Sequence, residues 1–133
     1  MNNQRTSRSS WNNIYEGVEI DCEDAHIIVS SLPTRAAKLD EILKIEASGS
    51  GWRLPTEKEA RVMRRYLLRI NKLMKDNGGN KLSPRATLWL HGKYGIPDKL
   101  GDVQGRIFSV RFGICCWNWW WIERDFRLVR SVA

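Results

Sequence analysis

Several scarcities narrow what this sequence can be. No apolar run approaches the ~20 residues that a membrane-spanning helix requires, so none is expected. Cysteine is scarce and odd in number: Cys22, Cys115 and Cys116 cannot close as a set of disulfides. Adjacent cysteines pair poorly, so reduced thiols and folding in a reducing compartment are expected. Histidine is scarcer still, because His26 and His91 are the only two and neither has a partner at metal-ligand spacing. The chain also lacks a C-x-x-C pair, G-x-G-x-x-G, a Walker loop, G-x-S-x-G and H-E-x-x-H. Nothing in the pattern supports a metal, a cofactor or an enzymatic activity.

Acidic residues are outnumbered, 15 against 22 lysines and arginines, for a formal charge of +7 over 133 residues. Such an excess favours anionic partners through a field that is independent of sequence. The first ten residues, MNNQRTSRSS, lack the apolar stretch of a secretory signal and read as a flexible tail, with residues 11–133 as one domain.

Hydrophobic spacing then divides the chain. Residues 13–20, NIYEGVEI, fit a short strand bent at Gly17. Asp21 is placed to cap a helix with Glu23 and Asp24 in its first turn and with Ala25, Ile28, Val29 and Leu32 at helical spacing, stopped by Pro33. Thr34 is placed to open a second helix carrying Ala36, Leu39, Ile42 and Leu43, which ends before the loop Ser48-Gly49-Ser50-Gly51. The strongest local signal is Thr56-x-x-Glu59, a capping box with Pro55 just outside a helix over 57–75. Met63, Tyr66, Leu67, Ile70 and Met74 form its apolar stripe, and Lys58, Arg61, Arg65, Arg69 and Lys72 its basic one. Charge runs of this kind are usually solvated faces, which leaves nucleic acid the less favoured partner.

Beyond residue 83 the period becomes extended, with strands expected over 86–91, 106–114, 117–122 and 126–132. Helices first and a mostly antiparallel sheet after indicate an α+β fold with the helices packed on the sheet. The stretch GICCWNWWWIERDFRLVRS, residues 113–131, holds four of the seven tryptophans. If it is extended, Trp117, Trp119 and Trp121 share one face and Cys116, Asn118, Trp120 and Ile122 the other. Either all four rings pack inside, or at least one faces solvent as a binding anchor; tryptophan beside arginine is the composition of binding hot spots.

CEDAHIIVSSL at 22–32, GWRLPTEKEA at 51–60 and DFRLVRSV at 125–132 together resemble the C-type lectin-like fold of the formylglycine-generating-enzyme type. Within that group the chain is most similar to the variable proteins of diversity-generating retroelements, found in bacteria, archaea and their viruses. There the stretch before the F-R-L ending is rewritten by adenine-directed mutagenesis, often as tryptophans interleaved with asparagine-derived positions. CCWNWWWIERDFRLVRS resembles that pattern. The resemblance implies a variable region over about 106–124 and a non-enzymatic module that binds a protein or other surface ligand, set on a virus or phage particle or a cell surface.

It further implies that Trp52, Arg53, Leu54, Trp117, Trp119, Phe126 and Leu128 are scaffold. Ile114, Cys115, Cys116 and Asn118 would be variable, with Trp120 and Trp121 open to either role and the paired cysteines a product of diversification. His91, Tyr94, Arg106, Arg111 and Glu123 would extend the patch. The calcium-binding strings of sugar-binding C-type lectins are missing, since Trp119 follows Trp117-Asn118, so calcium and other cofactors are not expected. A homo-oligomer built through the tryptophan cluster and a nucleic-acid-associated basic protein are the two rival readings.

Overall fold

The computed structural model describes residues 17–91, 104–119 and 121–132. Eight strands and three helices follow in the order β1 (Gly17–Cys22), β2 (Ala25–Ser30), β3 (Arg35–Ala37), α1 (Leu39–Glu46), α2 (Glu57–Arg65), α3 (Leu67–Asp76), β4 (Thr87–Trp89), β5 (Gln104–Ser109), β6 (Ile114–Trp119), β7 (Arg124–Phe126) and β8 (Val129–Ser131). The class is α+β, as the element pattern indicates. One sheet has the order β1-β2-β8 and the other β3-β7-β4-β5-β6. Every pairing is antiparallel except β4 with β7.

The first correction concerns residues 21–32, which form a hairpin rather than a helix: Cys22 pairs with Ala25 around Glu23-Asp24, and β2 runs on to Ser30. Ile27, Ile28 and Val29 are all buried. Ile27 and Val29 face the core shared with α2 and α3, while Ile28 faces the core shared with α1. A strand covered on both sides shows no alternation of polar and apolar residues, and its unbroken apolar run also satisfies helical spacing.

The second correction is at residues 34–37. Arg35–Ala37 is a strand paired with β7, and the helix starts only at Leu39, after Lys38, whose N–H donates to the Glu41 carboxylate. Leu39 and Ile42 are its buried contacts.

The capping box forms as expected. Glu59 N–H donates to Thr56 Oγ1 at 3.2 Å, and Thr56 N–H donates to Glu59 Oε1 at 3.0 Å. The expected helix over 57–75 is, however, broken at Tyr66, whose φ of −104° and ψ of 23° leave the helical well. The break rephases the buried face. α2 buries Ala60, Val62 and Met63, whereas α3 buries Ile70 and Met74. Lys58, Arg61, Arg65, Arg69 and Lys72 are all exposed.

Three strand boundaries also shift. The expected strand over 106–114 ends at Ser109 in a turn at 110–113, and β6 occupies 114–119 rather than 117–122. The closing strand over 126–132 is two strands in different sheets, because Arg127 and Leu128 step out between β7 and β8. Residues 13–16 of the first expected strand, and the N-terminal tail, lie outside the described residues.

The two sheets and the connecting segments separate two apolar clusters. Neighbouring residues go to opposite sides: Leu88, Phe108 and Val129 to the α2–α3 side, and Trp89, Ile107 and Leu128 to the α1 side. Trp89 Nε1 donates to the Ala37 carbonyl at 2.9 Å, which satisfies its polar atom inside the core. The GWRLPT segment is tied to the last strand, since Arg53 and Val129 exchange N–H···O bonds of 2.9 and 2.8 Å. The C-terminal strand is thereby held between the N-terminal hairpin and residues 52–54.

Candidate functional site

Arg106, Arg111, Ile114, Cys116 and Trp117 come together on one hairpin. β5 and β6 pair from Gln104↔Trp119 to Ser109↔Ile114 around the turn at 110–113. Directly opposed residues share a face, so Phe108, Cys115, Arg106 and Trp117 point toward α2, and Ile107, Cys116, Ser109 and Ile114 point away. β6 is the edge of the five-stranded sheet. On the far side, Leu39 of α1 packs at the Gly105 end, where an added Cβ would lie 2.7 Å from its Cδ2, and shares a cluster with Ile107. Ile114 and Cys116 are exposed.

The turn is fastened from below by α2. Arg64 Nε donates to the Val110 carbonyl at 2.8 Å, and Arg61 Nη1 donates to the Gly113 carbonyl at 2.9 Å. Val110 N–H donates to the Ala86 carbonyl, and Phe112 N–H to Ser109 Oγ. Gly113 has φ +69°, and a Cβ there would meet Arg64 Cζ at 2.9 Å. Both conditions call for glycine. Around the hairpin four apolar side chains are exposed: Phe112 at the turn at 64%, Ile114 on the face away from α2 at 53%, Trp117 on the α2-facing side at 50%, and Trp121 beyond β6 at 41%. Trp119 and Trp121 stack with centroids 5.2 Å apart.

Guanidinium groups border these rings. Arg106 lies 5.7 Å from the Trp117 centroid and Arg111 lies 5.0 Å from that of Phe112. Glu57 at the start of α2 meets both Arg61, at 2.8 Å, and Arg106, at 3.0 Å. The hydrogen bond from Arg61 is the main reason its carboxyl is held below the usual range. Cys115 sits beside it, and burial first, then the Glu57 charge, pushes its thiol upward. Cys22, Cys115 and Cys116 are free thiols.

The other expected residues divide. Trp52, Leu54 and Leu128 are buried, Phe126 is half-buried, and Arg53 is held by Glu59. Trp117, assigned to the scaffold, is instead among the exposed side chains, and Trp119 is half-buried. Asn118, assigned to the displayed set, is only 9% exposed. The strand starts three residues earlier than the spacing suggests, and its edge position leaves the α2-facing side of Trp117 uncovered. Glu123 is exposed. His91 is anchored elsewhere, with Nδ1 3.1 Å from Glu46 Oε2. Tyr94 and Trp120 lie outside the described residues.

Sequence reasoning missed Phe112, Arg64 and Glu57. The signal for the first was Gly113, an isolated glycine inside an extended pattern, which marks a turn with its neighbours at the tip. The other two become legible only through the tertiary contact of α2 with the turn. Among the described residues no group of three or more His, Cys, Asp or Glu side chains is placed to hold a metal, and no helix is long and apolar enough to cross a membrane. No protein-family model matches the chain, and no curated protein matches it.

Proposed function

We propose that the protein is a non-enzymatic ligand-binding module: a C-type lectin-like scaffold that presents its C-terminal hairpin to a protein or other surface ligand, as a retroelement-diversified variable protein does. The carrying observation is the exposed set Phe112, Ile114, Trp117 and Trp121 along a hairpin and just beyond it, with the backbone of the hairpin turn fastened by Arg61 and Arg64. Rigid aromatic side chains on a fixed backbone lose little entropy on contact, which is what a binding surface needs. Support for the scaffold comes from the closing strand β8, which pairs with the N-terminal hairpin and with Arg53 of the GWRLPT segment. The setting that fits is a virus or phage particle or a cell surface.

The DNA around the gene tests the retroelement element of this reading. The expected finding is a near-identical repeat of codons 106–124 that differs mainly at adenines, beside a reverse transcriptase gene. Absence of any such repeat overturns diversification and leaves the binding surface to be judged on its own.

One further observation favours a second reading, an interface between copies of the chain. β6, ICCWNW, is an edge strand without charge or proline, the kind that pairs readily with another strand. Light scattering separates the two. Dissociation of an assembly by Trp117→Ala favours the interface, and unchanged mass with lost ligand binding favours display.

The nucleic-acid reading draws less from the geometry, because Arg61 is engaged by Glu57 and Gly113 and Arg65 by Asp24. Salt-dependent duplex binding abolished by charge reversal at Arg61, Arg65 and Arg69 would restore it.

A further inference from the structure

Phe112 and Trp117 lie among guanidinium groups on the α2-facing side of the hairpin. Arg61, Arg64, Arg106 and Arg111 all contact the hairpin, and Glu57 is the carboxylate that answers them, shared between Arg61 and Arg106. Among the described residues no carboxylate lies within ion-pair distance of Arg64 or Arg111. Two of the guanidinium groups lie over the rings themselves, Arg106 on Trp117 and Arg111 on Phe112. A partner that covers these rings must therefore bury or meet positive charge.

We infer that the hairpin surface is built for an acidic protein partner, one whose carboxylates meet Arg64 and Arg111 while its apolar side chains cover Phe112 and Trp117. This rests on the reading of the C-terminal hairpin as the binding face. Complementary charge at the border of an apolar centre speeds encounter and rejects wrong partners, and an arginine already stacked on a ring meets a carboxylate with little loss of freedom. Nucleic acid is the weaker fit. Bases need open ring faces, and here one side of Trp117 and of Phe112 carries a guanidinium.

The test is a fluorescence-anisotropy titration of the full chain with three labelled peptides that share a Trp-Leu-Phe core and are flanked by glutamate, glutamine or lysine, and with oligo(dT). The glutamate-flanked peptide is expected to bind tightest, with affinity falling as salt rises. Arg111→Glu, whose side chain lies over Phe112 and holds no backbone group of the turn, is expected to weaken it by about tenfold, while the glutamine-flanked peptide changes little. Equal affinity for the three peptides, no binding by any of them, or tighter binding of oligo(dT) overturns the acidic partner. Binding of the glutamine-flanked peptide that is lost in Trp117→Ala and Phe112→Ala but indifferent to Arg111→Glu overturns the acidic partner and leaves the hairpin as the binding face. Glutamate-flanked binding that survives both aromatic truncations overturns the hairpin reading and this inference with it.

Discussion

The carboxylate of Glu59 meets the guanidinium of Arg53 fork to fork, with Nη1–Oε1 at 2.7 Å and Nη2–Oε2 at 2.9 Å. Glu59 Oε1 also receives the Thr56 N–H, and Arg53 Nη2 also donates to Ser131 Oγ at 2.8 Å. One half-buried pair thus joins the start of α2 to the closing strand. Bidentate geometry is specific to arginine. Arg53→Lys is expected to lose about 2 kcal/mol in urea denaturation, and Arg53→Ala more, because it leaves Glu59 charged without its partner.

The same pair sets a pH dependence. Burial disfavours the charged form of Glu59, but the hydrogen bonds and charge of Arg53, with the Thr56 cap, outweigh it and hold the carboxyl below its ordinary value. A group whose folded pKa is depressed adds stability that is complete above the unfolded pKa, about 4.3 for glutamate, and is lost as pH falls through the folded value. Thermal melts of the wild type should therefore fall in midpoint as pH drops below about 4.3. Glu59→Gln should lower the midpoint at neutral pH and flatten this acid limb; a limb of unchanged steepness would show that Glu59 does not drive it.

Arg127 is 1% exposed and, among the described residues, has no carboxylate partner. Its five N–H donors are all used, on the carbonyls of Ser30, Asn80 and Lys81 and twice on Thr34 Oγ1, at 2.8 to 3.2 Å. Burial pushes its pKa down to about 10, which still leaves it charged at neutral pH. Arg127→Met removes a buried charge but strands three carbonyls, and the expected loss is about 3 kcal/mol. Arg127→Lys, with fewer donors, should rescue only part of it. Chemical denaturation of the two variants is the check, and a Met variant as stable as the wild type would refute the clamp.

Gly113→Ala should strain the turn twice, through its left-handed φ and through the 2.9 Å approach to Arg64. The expected cost is about 1–2 kcal/mol. Amide exchange should report it locally, with faster exchange in β5 and β6 than in β1 and β2. A uniform change across the four strands would contradict local fastening of the turn.

The adjacent thiols should react unequally. Cys116 is exposed, while Cys115 is half-buried beside Glu57 with its thiol pushed upward. Thiolate fraction and access govern alkylation. Maleimide labelling read by mass spectrometry should modify Cys116 about tenfold faster than Cys115, and Glu57→Gln should narrow the gap.

Local chemistry was legible in the sequence wherever the determining partners are close along the chain. The Thr56–Glu59 cap, the buried stripe of Met63, Ile70 and Met74 and the extended character of the C-terminal half all follow from spacing alone. β2 was not legible, because covering it on both faces removed the alternation by which a strand is recognised. The step at Arg127 was hidden for a related reason: its partners lie about 46 to 97 positions away, so the residue reads as an ordinary polar position in a strand. At the hairpin, the exposure of Trp117 and the burial of Asn118 depended on which sheet edge β6 occupies.

α2 grips the turn through the carbonyl oxygens of Val110 and Gly113, atoms that every amino acid supplies. The positions between and beyond them, Arg111, Phe112, Ile114, Cys116 and Trp117, contribute side chains that this grip does not use. Mutation at these five places can exchange charge for apolar surface or large rings for small ones with the hairpin path retained. Gly113 is the position in the turn where such freedom ends. The surface chemistry of the hairpin is in that sense separable from its folding, and side chains there can be exchanged at little cost in stability.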